Sequence, residues 1–439
     1  MNRIVAALAL ALTASCGGDP TRTPDAPPPA EEAAIAIIGV DELAERFVKL
    51  ALALGRRDPN YVDAYSGPPE WAEAAKSAEV PLGDLRREAE AILEALDVLS
   101  RDGADPREAG LKGLATAALT RLNMAEGKRL SFTEEARLLY GAEPRAYALA
   151  EFDAALAEID ALLPGEGPLA DRFNAFRTAV AIPSDKLEAV FTAAIAECKR
   201  RTTAHYNLPE TEKFTLRFVT DKPWSGYNWY QGDFESVIEI NTSLPIYIDR
   251  AVDLGCHEGY PGHHVWNLMV DEKLRRGEGW IEYSILPLFS PQALIGEGSA
   301  NYGVELAFSD EEKLAFERDI LFPLAGLDPA QAEKLQAVNQ LRRALSHVDN
   351  HVAREYLEGR IDRAEAAAMI EKYKLETPAV AARRIDFIDT YRAYVINYNI
   401  GRDLVAAHIE REKAKGVDPW IAFQSILISP DAIGVLASQ

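Results

Sequence analysis

Eight consecutive residues, His257 to His264, read H-E-G-Y-P-G-H-H, and they set a geometric condition that any fold of this chain must meet. Two histidines at i and i+4 share one face of a helix and can reach the same metal ion. Here the residue at i+4 from His257 is Pro261. On an unbroken helix, turning by about 100° per residue, His263 would point roughly 120° away from His257. His264 would share the face but lie about 10.5 Å along the axis, too far for one ion. The histidines converge only if the helix is interrupted. Pro261 removes an intrahelical hydrogen bond and Gly262 frees the backbone, so a two-residue bulge at Pro-Gly would return His263 to the place of an i+4 histidine. A corner between two helices with histidines on its surface is the alternative.

The chemistry of the octet is specific. The chain has seven histidines, and His257, His263 and His264 fall within eight positions. Imidazole is the commonest zinc ligand, and a carboxylate beside the metal, here Glu258, can take a proton from water. A second acidic signal, E-G-S-A-N-Y from Glu297 to Tyr302, follows at a distance that suits a third ligand on a neighbouring helix. Together the two motifs point to a zinc hydrolase.

H-E-x-x-P-G-H-H followed by E-G-x-A-x-Y resembles the bacterial domain-of-unknown-function 885 family, which includes many predicted lipoproteins and itself resembles the gluzincin metallopeptidases. The likeness runs from about Phe214 to about Asp403. It implies a mainly α, metallopeptidase-like fold with one Zn2+, held by His257, His263 and Glu297, with Glu258 as general base. The Gly262-His263 pair matches the G-H of the gluzincin H-E-x-G-H, which favours His263 over His264. The family often carries tryptophan where this chain has Ser299, so substrate preference does not transfer. Near the C-terminus, Y-R-A-Y-V-I-N-Y-N-I-G is similar to the family's Y-x-I-G segment and puts Tyr398 in the matching place, as a candidate donor to a developing oxyanion. Tyr391, Tyr394 and Tyr398 recur at i, i+3 and i+7, so simple packing explains them equally well.

The N-terminus reads as an export signal. Arg3 precedes an apolar run from Ile4 to Leu12, and Leu12-Thr13-Ala14-Ser15-Cys16 resembles a bacterial lipoprotein cleavage site with its leucine one position early. This makes residues 1–15 a signal peptide, Cys16 the lipidated residue and 16–35 a Pro- and Ala-rich tether, with the protein facing the periplasm or the cell surface. The formal net charge of −22 argues against nucleic acid as a partner. Cys198 continues the apolar stripe of Leu187, Val190, Phe191 and Ala194, and Cys256 abuts the metal motif. Both read as core residues, and a disulfide between them stays open.

The expected architecture is a helical lobe over 36–205 and a zinc-site lobe over 206–439, with a small antiparallel sheet at 214–241 beside the cleft. Ser131 and Glu134 form a capping box, and Gly232-Asp233 reads as a hairpin turn. Ser236 to Asn241, just upstream of the metal helix, is the candidate edge strand for extended substrate. Pro329 to about Leu357 reads as one long helix with Arg343, His347 and His351 off its apolar face. A histidine of that pair could serve the oxyanion in place of Tyr398, and Arg343 could hold a substrate carboxylate. The reading is a lipid-anchored zinc metallopeptidase acting on a peptide or small amide. A non-catalytic metal- or peptide-binding lipoprotein and a zinc hydrolase of a non-peptide amide or ester are the other readings.

Overall fold

The structure, a computed structural model, describes residues 38–103, 105–222 and 224–437. The export signal, Cys16 and the tether lie outside the described residues. The fold is mainly helical, as its amphipathic periodicity requires. In the first helix, Val40–Arg57, the residues Leu43, Phe47, Leu50 and Leu54 recur along one face and are all buried. Truncating Phe47 to alanine at such a site costs about 3–5 kcal/mol. This helix packs on Leu82–Leu99, which in turn packs on Pro106–Ala125. The Ser131–Glu134 capping box forms at the start of Phe132–Tyr140 as expected. One contiguous apolar core extends from Leu43 to Leu436.

Two small sheets serve the site. Strands β1 (Val62–Tyr65) and, much later, β5 (Ile285–Pro287) pair antiparallel, tying the N-terminal helices to the segment that leads into helix Pro291–Ala307. The other sheet contains β2 (Lys213–Val219), β3 (Gly226–Gly232) and β4 (Glu235–Asn241). The β3–β4 hairpin is antiparallel, and its turn bends through Gly232, Asp233 and Phe234, all at positive φ. On the other side of β4, β2 pairs in parallel, with Lys213 opposite Glu235 and Val219 opposite Asn241. The strand order is therefore β2-β4-β3. This corrects one expectation: β4 is the central strand, both its edges are already paired, and it cannot add an extended substrate. Ile238 and Ile240 are fully buried on it, as a central strand demands.

The expected long helix from Pro329 is also broken. Ala332–Ala344 ends at a turn through Leu345, Ser346 and His347, and Val348–Leu357 begins anew. Leu345 and Val348 both stay in the core, so the apolar stripe survives the break while the polar side does not remain one face.

Two helices cross at the centre. Pro291–Ala307 and Ile396–Ala414 approach so closely at Gly298 and Gly401 that a methyl group on Gly298 would sit 2.4 Å from the Gly401 carbonyl carbon. Only glycine fits this crossing.

Candidate metal centre

The octet does interrupt its helix. Asp249–Leu254 is regular, Gly255–Gly259 widens into a π-turn, Tyr260 is extended, the Tyr260–Pro261 peptide is cis, and a new helix starts at His263. The Gly262 amide donates back to the Cys256 carbonyl at 3.0 Å. A Cβ on Gly262 would lie 1.9 Å from the His257 carbonyl oxygen, so the close return of the chain admits no side chain there. The result brings the His257 and His263 rings together, centroids 4.7 Å apart and planes near perpendicular.

Glu297 completes the cluster from the buried helix Pro291–Ala307. Its Oε2 lies 3.4 Å from His257 Nε2 and 3.7 Å from His263 Nε2. One donor atom from each of the three residues falls within 4.8 Å of the others, the only such cluster among the described residues. The Tyr394 hydroxyl donates to Glu297 Oε1 at 2.9 Å, whereas Oε2 is buried with no hydrogen-bond partner among the described residues. A buried carboxylate oxygen left this way is costly unless a cation meets it. Donors placed tetrahedrally at zinc–ligand distances of 2.0–2.1 Å are about 3.3 Å apart, close to the spacing from Glu297 to each imidazole. Two imidazoles and a carboxylate with that orphaned oxygen fit a borderline-soft divalent ion such as zinc.

The electrostatics follow from burial and proximity. Burial pushes the Glu297 carboxyl up, but His257 and His263 outweigh it and hold it well below the usual carboxylate range. Burial lowers His263, and Glu297 more than reverses that, raising it to about 9. Glu258 is 4% exposed, with Oε1 3.9 Å from His257 Nε2. Burial raises its carboxyl above the usual range, with the two histidines opposing. β3 holds Glu258 in place. Asn228 Nδ2 donates to its backbone carbonyl at 2.7 Å, and Gly226 leaves space that a Cβ would take, 2.9 Å from Glu258 Oε1.

The tyrosines divide their roles. Helix Pro378–Tyr391 ends at Arg392, whose positive φ of 52° is held by Glu135, which accepts from Arg392 Nε and the Ala393 amide. The stripe therefore does not run along one helix. Tyr394 grips Glu297, and Tyr398 packs its ring edge-on to Tyr394 at 5.8 Å. Burial and the negative charge of Glu297 push the Tyr398 phenol well above its ordinary pKa, so it stays a donor.

His264 is not part of the cluster. It is fully buried, its Nδ1 2.8 Å from Ser236 Oγ and its Nε2 3.0 Å from Glu212 Oε2. Burial pushes Glu212 up, but His264, Lys199 and Tyr260 bring it down to about 2. Other candidates are engaged elsewhere. Arg343 pairs with Asp310 on the exposed side. His347 sits between the Tyr147 hydroxyl and Asp403, and His351 lies edge-on to Phe152. Cys198 and Cys256 are fully buried, as core residues should be, and they are joined as a disulfide that anchors the motif's first turn to helix Leu187–Thr203.

Sequence reasoning passed over a further layer. The Tyr227 hydroxyl donates to Asp63 on β1, a carboxyl that burial raises while Tyr227 and then His263 draw it down. The alternating Y-N-W-Y of β3 signals a strand but not which of its residues faces a metal cluster.

No protein-family model matches the sequence, and no curated protein matches it. Solved structures do. A candidate lipoprotein from Colwellia psychrerythraea aligns over 92% of this chain and 76% of its own, at TM-score 0.54 and 14% identity. A candidate lipoprotein of unknown function from Shewanella oneidensis aligns over 90% and 86%, at TM-score 0.49 and 12% identity. The M32 carboxypeptidase of Deinococcus radiodurans R1 aligns over 89% of each chain, at TM-score 0.35 and 16% identity. The Colwellia match shows a shared fold and nothing about the reaction.

Proposed function

We propose that this protein is a metal-dependent hydrolase, with a peptide or a related amide as substrate and zinc as its ion. The observation that carries the reading is the unpartnered, buried Glu297 Oε2 facing two imidazoles, with the buried Glu258 beside them. His257, His263 and Glu297 would hold the ion. When bound, zinc supplies Lewis acidity to a scissile carbonyl and brings the pKa of the attacking water towards neutrality. Glu258 accepts that water's proton and delivers it to the leaving amine, a double task that suits a carboxyl raised by burial. Tyr394 fixes the rotamer of Glu297, and the protonated Tyr398 phenol is the candidate donor to the developing oxyanion. Glu258 favours catalysis over mere metal storage, because binding alone has no use for a second carboxylate that does not join the cluster.

The test is metal content together with turnover of a quenched peptide library, with and without chelator. About one zinc per chain and chelator-sensitive cleavage are expected. Protein expressed with supplementary zinc that carries no transition metal removes the reading at its base. The Leu12–Cys16 signal, together with the fold shared with a candidate lipoprotein, supports export and lipid anchoring at Cys16. Among the described residues no helix is long and apolar enough to cross a membrane. Cys16→Ala should release the protein from the membrane fraction and abolish fatty-acid labelling. Unchanged membrane association without label would refute the anchor.

A further inference from the structure

The interruption in the metal-bearing octet is pinned at a single residue. Cys256 immediately precedes His257, so its backbone sets where that imidazole starts. Its carbonyl also accepts the Gly262 amide at 3.0 Å, and Gly262 immediately precedes His263. The Gly262 carbonyl in turn receives the Trp266 amide at 3.0 Å, which opens the helix His263–Met269. Both imidazoles are therefore positioned from Cys256, His257 along the chain and His263 across the bulge.

Cys256 is itself held by its side chain, bonded through sulfur to Cys198 on helix Leu187–Thr203. That helix is fixed in the core by Val190, Phe191 and Ala194, all fully buried. Gly255 passes so close to it that a Cβ would lie 3.2 Å from Ile195 Cγ1 and 3.5 Å from the Ile195 amide nitrogen. The backbone alone is a poor anchor here. Pro261 has no amide hydrogen, and Gly255–Gly259 is a π-turn, a break in the regular i→i−4 ladder. Glu297 comes from a different helix, Pro291–Ala307, which the Gly298–Gly401 crossing fixes. The disulfide thus sets the imidazole half of the metal centre against the core that carries the carboxylate half.

Both cysteines are fully buried, so the bond is not one that opens and closes in the folded protein. It closes while the chain folds. The two thiols give up two electrons and two protons, and a disulfide-bearing oxidant is reduced to two thiols through a mixed disulfide. Oxidants of that class belong to compartments outside the cytoplasm.

We propose that Cys198 and Cys256 are positioning residues for the metal, their disulfide holding His257 and His263 at the separation that one zinc ion requires, so that tight zinc binding follows oxidation of the pair. This rests on the zinc reading of His257, His263 and Glu297 and adds to it the step that precedes loading.

The experiment measures the zinc affinity of the full chain by competition with a chromophoric chelator. It compares oxidised wild type with two double variants, Cys198→Ala/Cys256→Ala and Cys198→Ser/Cys256→Ser, neither of which leaves a thiol at either position to bind zinc in its own right. Circular dichroism checks that each is folded. The variants should bind zinc about 10- to 100-fold more weakly than wild type. Cobalt(II) loaded in place of zinc should show a shifted visible absorption in them, a change that a lower melting temperature alone would not produce. Equal affinities and an unchanged cobalt spectrum in a folded variant would overturn the proposal. So would a failure of both variants to fold, which would make the bond a requirement of the fold and not of the metal site. Oxidised wild type that binds no zinc would remove the zinc reading itself, whereas tight binding by all three proteins would leave that reading intact and remove only the disulfide's part in it.

Discussion

Gly298→Ala is a change of one methyl group, outside the three-residue cluster, that should damage the metal centre. The added Cβ would lie 2.4 Å from the Gly401 carbonyl carbon and 2.7 Å from its Cα, where ordinary contacts begin at 3.4 Å. Both obstacles are backbone, so no side chain can swing aside. The two helices must part by about 1 Å, the difference between the clashing and the ordinary contact. Glu297 precedes Gly298, and its 2.9 Å bond to Tyr394 spans this same crossing, so the opening takes that bond beyond hydrogen-bond range. Overpacking costs about 1–3 kcal/mol and a buried carboxylate that loses its donor about 1–3 kcal/mol more. Misplacing a metal ligand by about 1 Å should lower turnover on the order of 100-fold. The assays are thermal denaturation, competitive zinc titration and peptide turnover. Gly83→Ala is the control, because its Cβ would meet nothing closer than 3.9 Å and the exchange in a helix is favourable. If G298A melts, binds zinc and turns over like wild type, the crossing does not position Glu297 as argued.

Three other outcomes are expected. Glu258→Gln should retain zinc while losing at least about 100-fold in kcat, and near-normal activity would mean that another group is the base. His263→Ala should abolish zinc binding, whereas His264→Ala should mainly cost stability by taking the partner from Ser236 and one of three partners from Glu212; equal zinc affinities for the two variants would contradict the ligand assignment. Burial raises Asp349, but Arg384 and Lys374 hold it well below the usual range, so its folded pKa lies under the unfolded value. Its stabilisation is complete above about pH 4 and fades as pH falls through the folded pKa. Asp349→Asn should therefore cost about 3–5 kcal/mol at neutral pH and progressively less below pH 4, and a gap in melting temperature that stays constant from pH 7 to pH 3 would contradict this.

What could be read in advance was what local chemistry dictates. A metal requirement plus Pro261-Gly262 leaves few conformations, so the return of the chain at the octet was legible from eight residues. The alternating β3–β4 hairpin and the capping box at Ser131 were legible for the same reason, since each is decided within a few positions. The status of β4 was not. Whether a strand is central depends on a partner from beyond the hairpin, and the parallel pairing of β2 leaves no mark on β4 except its buried isoleucines. The Cys198–Cys256 disulfide, closed across 58 residues, stayed open on the sequence for a related reason: a buried cysteine and a bridged one carry the same apolar signature.

The same distinction bears on the arginine that the sequence singles out. Arg343 sits off the apolar stripe of its helix, whereas its neighbour Arg342 faces inward, towards Phe173 and Glu376. A cation's usefulness to a ligand depends on the anions it is not already bound to, and that is a tertiary property. Asp310 pairs with Arg343 from a different helix, whereas Arg177 and Arg342 both approach Glu376. Tyr394 stood only as one member of the stripe, and Asp63 carried no signal, on the same ground. The tyrosine stripe offered three equivalent phenols, and only the turn at Arg392 decides which of them meets Glu297. The residues that bind an ion announce themselves by type and spacing, but those that orient them are identified only by what the fold leaves unpaired.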